Sequence, residues 1–122
     1  FVPTKDPEKM TLIRLTIGDL GFKTVATAMQ IFKRAEELGL ELCPPDTGPY
    51  YRLKYRDQPL AEHCHIGMKP ITSSDDGFPS VFRLYHYEDG LWLRHGKAGH
   101  DSFTWFPHDK VVFRFRKVKN SV

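Results

Sequence analysis

The sequence predicts an α+β domain in which one main helix packs on a mostly antiparallel sheet of four to six strands. Apolar residues repeat at helical spacing in the first part of the chain, and beyond residue 49 the repeat changes to the two-residue period of strands. A proline-rich segment at 43–49 (CPPDTGP) separates the two parts. Short connections between the later segments favour antiparallel pairing, with one sheet face under the helix.

The size and composition of the chain are those of one globular domain. It has 122 residues, of which 40% are hydrophobic and 27% are charged. Residues 1–10 contain two prolines and show no periodicity, so we interpret them as an N-terminal arm or linker and residues 11–122 as the domain.

The first predicted elements are a short strand and a turn. The apolar run Leu12-Ile13-Arg14-Leu15 is compatible with a strand. Thr16 is placed to cap a brief turn, which Gly21 would end.

A helix is predicted from about residue 28 to residue 38. Thr27 and Gln30 match the capping box, in which each side chain satisfies a backbone N–H that the first turn leaves unpaired. Gly39 supplies the left-handed residue that ends many helices. The apolar face repeats at helical spacing in Ile31, Ala35 and Leu38.

The second part predicts five strands. Alternating residues indicate strands at 50–56, 63–69, 81–87, 91–95 and 111–118. Asp89-Gly90 favours a tight hairpin between the third and fourth of these strands. In the last strand, Val111, Phe113 and Phe115 are expected to face the core, with Val112, Arg114 and Arg116 on the other side.

All six histidines lie between positions 63 and 108, and two of them flank a cysteine as His63-Cys64-His65. On a strand both imidazoles project to one side and the thiol to the other. Cys64 is therefore interpreted as a small buried hydrophobe, and the imidazoles as part of a solvated or half-buried face. A metal site would need further ligands, and the positions after His65 lack the glutamate of the cupin pattern. No metal or other cofactor is predicted.

A basic surface is the preferred binding site. On a strand at 50–56, Arg52, Lys54 and Arg56 would share one face. If the turn at Asp57-Gln58-Pro59 folds the next strand back, that face gains further residues. The predicted binding residues are Arg52, Lys54, Arg56, His63, His65 and Lys69, with Arg114 and Arg116 as a possible extension.

These features favour a non-catalytic binding module that presents a basic sheet face to an acidic protein or a single-stranded nucleic acid. The net charge is +3, and residues 49–122 carry twelve Lys/Arg against eight Asp/Glu. The alternative is a histidine-dependent or metal-dependent hydrolase or nuclease, since His100-Asp101 and His108-Asp109 place acid–base groups side by side. A second alternative is an accessory domain of a longer chain.

The composition favours a cytoplasmic protein. No apolar stretch approaches the roughly 18 residues that a membrane-spanning helix needs, and no signal-peptide pattern is present. Cys43 and Cys64 are too few for a disulfide framework, although one bridge between them stays open.

Three segments of the chain resemble an uncharacterised family of small bacterial proteins. They are Glu36–Pro44 (EELGLELCP), Gly48-Pro49 and Asp57-Gln58-Pro59, and the similarity extends from about residue 12 to residue 117. The resemblance implies a bacterial intracellular protein and attaches no activity, cofactor or site residue to the chain.

Overall fold

The computed structural model describes residues 11–72, 79–97 and 104–115, and it confirms an α+β fold with a mostly antiparallel sheet. The predicted arm at 1–10 lies outside the described residues. The elements are β1 (Leu12–Thr16), a 3-10 turn (Gly18–Leu20), β2 (Ala26–Thr27), α1 (Ala28–Glu37), β3 (Leu40–Glu41), α2 (Thr47–Lys54), β4 (His63–Ile66), β5 (Ile71–Thr72), β6 (Pro79–Tyr87), β7 (Gly90–Lys97), β8 (Thr104–Trp105) and β9 (Lys110–Phe115).

Seven strands of the described part form the main sheet, and β2 with β8 forms a second, two-stranded one. β9 lies inside the main sheet, with β1 on one edge and β4 and β3 on the other. The pairing of β4 with β9 is parallel, whereas the other named strands pair antiparallel. β6 lies between β4 and β7, because Arg83 pairs with His65 on one side and with Arg94 on the other.

The turn and the main helix begin and end as the sequence predicts. The Thr16 hydroxyl accepts the N–H of Asp19, and Gly21 ends the turn with a φ of 104°. The Thr27 hydroxyl accepts the N–H of Gln30 while the Gln30 side chain accepts the N–H of Thr27, which completes the capping box. Gly39, with a φ of 85°, adopts the left-handed conformation after α1.

The segment predicted as a strand at 50–56 is a helix instead. α2 covers Thr47–Lys54, and Pro49 falls in its first turn, where the missing N–H costs nothing. Tyr51 and Tyr55, which alternate like strand residues, are also one helical turn apart, and their rings pack 5.6 Å from each other. The prediction was wrong because a spacing of four residues suits both periods.

Two helices cover opposite faces of the sheet. Phe32 of α1 packs edge-on against Phe113 at 5.9 Å, so we call the side of Phe113 and His65 the α1 face. Arg14 pairs with Val112 in the sheet and lies 3.9 Å from the ring centre of Tyr55, which places α2 on the other side, the α2 face.

The burial of side chains in the last strand differs in part from the prediction. Val111 and Phe113 are buried as expected, but Val112 is equally buried because α2 covers its side of the sheet. Phe115 is largely exposed rather than directed into the core, and Arg116 lies outside the described residues. A strand covered on both faces is apolar without alternation.

Gly67 is expected to be essential for the packing of β9. A Cβ at this position would lie 2.3 Å from Phe113, well inside contact distance. Gly67→Ala should therefore lower the free energy of unfolding by about 1–3 kcal/mol, as overpacking of a core does. Urea denaturation measures this change.

Gly18→Ala is the matched control, because its Cβ would meet its nearest neighbour at 3.4 Å. It should change the free energy of unfolding by no more than about 0.5 kcal/mol. Equal losses in the two variants would contradict the proposed packing at Gly67.

Candidate nucleic-acid interface

Arg52 is a structural residue of α2 rather than part of an open basic face. Its guanidinium donates to Gln58 Oε1 at 2.7 Å, to the Trp92 carbonyl at 3.1 Å and to the Tyr55 carbonyl. These bonds join α2 to the loop that follows it and to β7. Three acceptors leave little of this guanidinium for a ligand.

The other basic residues of the predicted site are exposed but do not share a strand face. Lys54 and Arg56 lie at the end of α2 and in the turn after it, where Lys54 is 5.5 Å from the ring centre of Tyr50. Lys69 lines a separate groove beside α1 and β3. Arg114 pairs with Glu41 at 3.2 Å, and so does not extend a common surface. The predicted basic strand face does not form, because it required a strand at residues 50–56 and α2 covers Thr47–Lys54.

His63 and His65 project to the same face of β4, as predicted, and their rings are parallel within 15°. That face is not solvated along its whole length. His63 is half-buried against Tyr85, whereas His65 is only 3% exposed. Cys64 points to the opposite side and is fully buried.

Both cysteines are free thiols inside the protein. Burial raises the pKa of each thiol to about 12, far above the range in which a thiolate nucleophile forms. The structure therefore agrees with the interpretation of Cys64 as a core residue, and no bridge joins it to Cys43.

His65 forms a buried pair with Asp109. Its Nε2 atom lies 3.5 Å from Asp109 Oδ2, and its ring stacks on Trp105 at 3.9 Å with a 4° angle between planes. Burial lowers the pKa of His65, and Asp109 only partly offsets this effect. Burial acts to raise the pKa of Asp109, but hydrogen bonds from His65 and Phe106 outweigh it and the pKa is lowered.

The remaining described histidines do not complete a metal site with this pair. His86 lies 2.7 Å from the Gln58 carbonyl, and His95 lies 3.4 Å from the Ser80 hydroxyl. His108 approaches the second oxygen of Asp109 at 3.8 Å, with a side chain that is 80% exposed. Across the described ranges, no three His, Cys, Asp or Glu side chains form a group that could hold a metal ion. His100 lies outside those ranges.

The open part of the α1 face carries a continuous series of rings, which we call the aromatic row. The register of β6 with β4 and β7 places Tyr85 between His63 and Trp92, on the same face. Neighbouring ring centres are 4.4 Å apart from His63 to Tyr85, 4.1 Å from Tyr85 to Tyr87, and 6.4 Å from Tyr87 to Trp92. Trp92 is 46% exposed.

A hollow of about 1100 Å³ lies over the tip of the β6–β7 hairpin. Tyr85, Tyr87 and Trp92 of the aromatic row form part of its wall, and Leu60, Ala61 and Arg94 add to it. Ala61 has a φ of 66°, which only a few non-glycine residues adopt, and its N–H bonds to the His86 carbonyl. The backbone of the rim is thus fixed in a costly conformation next to the hollow.

The sequence contained a signal for this face. A two-residue turn at Glu88-Asp89 fixes the hairpin register, and the register alone places Trp92 opposite Tyr85. The hairpin itself is confirmed, but its cross-strand pairs were not part of the predicted site.

No protein family, curated protein or solved structure matches the chain. Among the described residues, no helix has the length and apolar character needed to cross a membrane.

The buried His65 should make stability depend on pH. Its pKa in the folded protein lies below the ordinary value of 6.5, so the unfolded chain takes up the proton first as the pH falls. The contribution of His65 to the free energy of unfolding should therefore be fully present above pH 6.5 and decrease below it, by about 1.4 kcal/mol per pH unit at most for one histidine. Urea denaturation on both sides of that pH measures the loss.

When the pH falls from above 6.5 to below it, His65→Gln should lose less free energy of unfolding than the wild-type protein does. His108→Gln, which changes a largely exposed side chain, should retain the wild-type loss. An identical pH dependence of His65→Gln and the wild-type protein would show that His65 does not cause it.

Proposed function

We propose that this domain is a non-catalytic binding module that holds single-stranded nucleic acid on the open part of its α1 face. The observation that supports this most directly is the aromatic row, a run of partly to largely exposed rings on one sheet face, with Arg83 and Arg94 on the same face. Nucleobases stack on such rings while cations contact the phosphates.

The aromatic row favours nucleic acid over an acidic protein as the ligand. An acidic protein surface needs cations, whereas this face offers rings together with cations. Stacking is tolerant of base identity because every base has a π-face, so we expect little sequence specificity. The ligand is therefore a single strand with accessible bases rather than a duplex.

The hydrolase alternative has less support. His65 and Asp109 are residue types that can act as an acid–base pair. However, His65 is only 3% exposed, and Trp105 covers its ring. A general base must come within hydrogen-bond reach of its substrate.

The free thiols of Cys43 and Cys64 support the proposal of a cytoplasmic protein.

Binding of a labelled single-stranded oligothymidylate of about a dozen residues, followed by fluorescence polarisation, tests this proposal. Tyr85→Leu and Trp92→Leu should each weaken binding by about tenfold, since base stacking contributes roughly 1–3 kcal/mol. The wild-type affinity should decrease steeply with salt.

Phe106→Leu is the matched control, because Phe106 is 53% exposed and stacks on His108 outside the aromatic row. It should bind like the wild-type protein. Absence of wild-type binding at low salt would refute the proposal. A loss confined to Lys54→Gln and Arg56→Gln would instead place the ligand beside α2.

A further inference from the structure

Two arginines face each other directly on the open part of the α1 face. Arg83 of β6 and Arg94 of β7 are cross-strand partners, and their side chains project to the side that carries Tyr85 and Trp92. Like charges in this position destabilise a sheet unless something compensates them.

Compensation does not come from a carboxylate of the described residues. The ion pairs found there involve His65, His108, Lys110 and Arg114, and none involves Arg83 or Arg94. The Nε atom of Arg83 is buried without a hydrogen-bond partner. Arg94 donates one N–H to the Tyr87 hydroxyl at 2.8 Å, which holds it at the aromatic row and leaves its other donors available.

Two further observations concern the acidic groups nearest to this pair. Arg83 lies between Arg94 and His65 in the sheet, so no acidic side chain of β4 or β7 opposes it there. Asp89, at the tip of the hairpin, already accepts the indole N–H of Trp92 at 2.9 Å. The pair therefore concentrates positive charge on a surface with accessible donors.

We infer that Arg83 and Arg94 form a clamp for one backbone phosphodiester of the strand whose bases stack on the aromatic row. This inference rests on the proposed function and names the group that fixes the strand. Guanidinium forks match the geometry of phosphate oxygens and can bind them in a bidentate manner. A phosphodiester suits the site better than a free phosphate, because the rings beside the clamp would hold the adjoining bases.

The salt dependence of oligothymidylate binding tests the clamp. Each phosphate contact on a single strand contributes about 0.7 to the slope of log affinity against log salt. Arg94→Gln and Arg83→Gln should each reduce the slope by about that amount and weaken binding several-fold. Arg94 is exposed, so Arg94→Gln retains a test even if Arg83→Gln does not fold.

Lys54→Gln/Arg56→Gln is the charge-matched control for Arg83→Gln/Arg94→Gln, because each double variant removes two positive charges. The control should retain the wild-type slope. In the free protein, Arg94→Gln should not lower the urea midpoint, because it removes one of two like charges that face each other across the sheet.

The outcomes separate the clamp from the proposed function. A wild-type protein that binds, loses affinity in Tyr85→Leu, and keeps its salt slope in Arg83→Gln/Arg94→Gln would refute the clamp and leave the function standing. Equal slopes in the two double variants, both below the wild-type slope, would also refute it, since net charge would then explain the effect. A wild-type protein that does not bind the oligonucleotide overturns both.

Discussion

The stack of Trp105 on His65 determines which part of the sheet is buried and which part is open. Trp105 belongs to the small β2–β8 sheet, lies parallel to His65 at 3.9 Å, and packs edge-on against Phe32 of α1 at 5.9 Å. One indole thus connects the small sheet, the main sheet and the main helix. On the far side of His65 neither α1 nor α2 covers the continuation of the α1 face.

The aromatic row continues the same sequence of ring contacts from the core to the surface. His63 is parallel to His65 at 6.4 Å and meets Tyr85 at 4.4 Å. The rings that stabilise the buried end and those that line the hollow therefore share one sheet face and one register. Because α2 packs against the opposite face, the hairpin is supported from behind while its ring surface stays accessible. The proposed ligand would therefore meet a surface that is already held in shape, which would reduce the entropy lost on binding.

Local signals were sufficient for the elements whose ends are set by single residues. Thr27 with Gln30 and the left-handed Gly39 define α1, and the turn before Gly90 defines the hairpin. The segment around Tyr51 and Tyr55 was different, because its spacing suits a strand and a helix equally. In the fold its tyrosines contact Arg14, which stacks on Tyr55 and donates to the Tyr51 hydroxyl at 2.7 Å from a strand 37 residues away. Tertiary contacts of that kind leave no mark on local periodicity.

The function of an arginine in this chain depends on its partners, which sequence does not give. Arg52 and Arg114 read as surface cations, yet one is bonded to three acceptors and the other to a carboxylate. Arg83 looks no different in sequence, and its Nε atom is buried without a partner like those of Arg52 and Arg114, but the hairpin register places it opposite Arg94. Among the described residues, carboxylates pair with Arg114 and Lys110 but not with Arg83 or Arg94, and two like charges that face each other across a sheet destabilise it. Binding of the proposed phosphodiester would relieve that repulsion, and so this pair supports the proposal of an anionic ligand more directly than the net charge of the chain does.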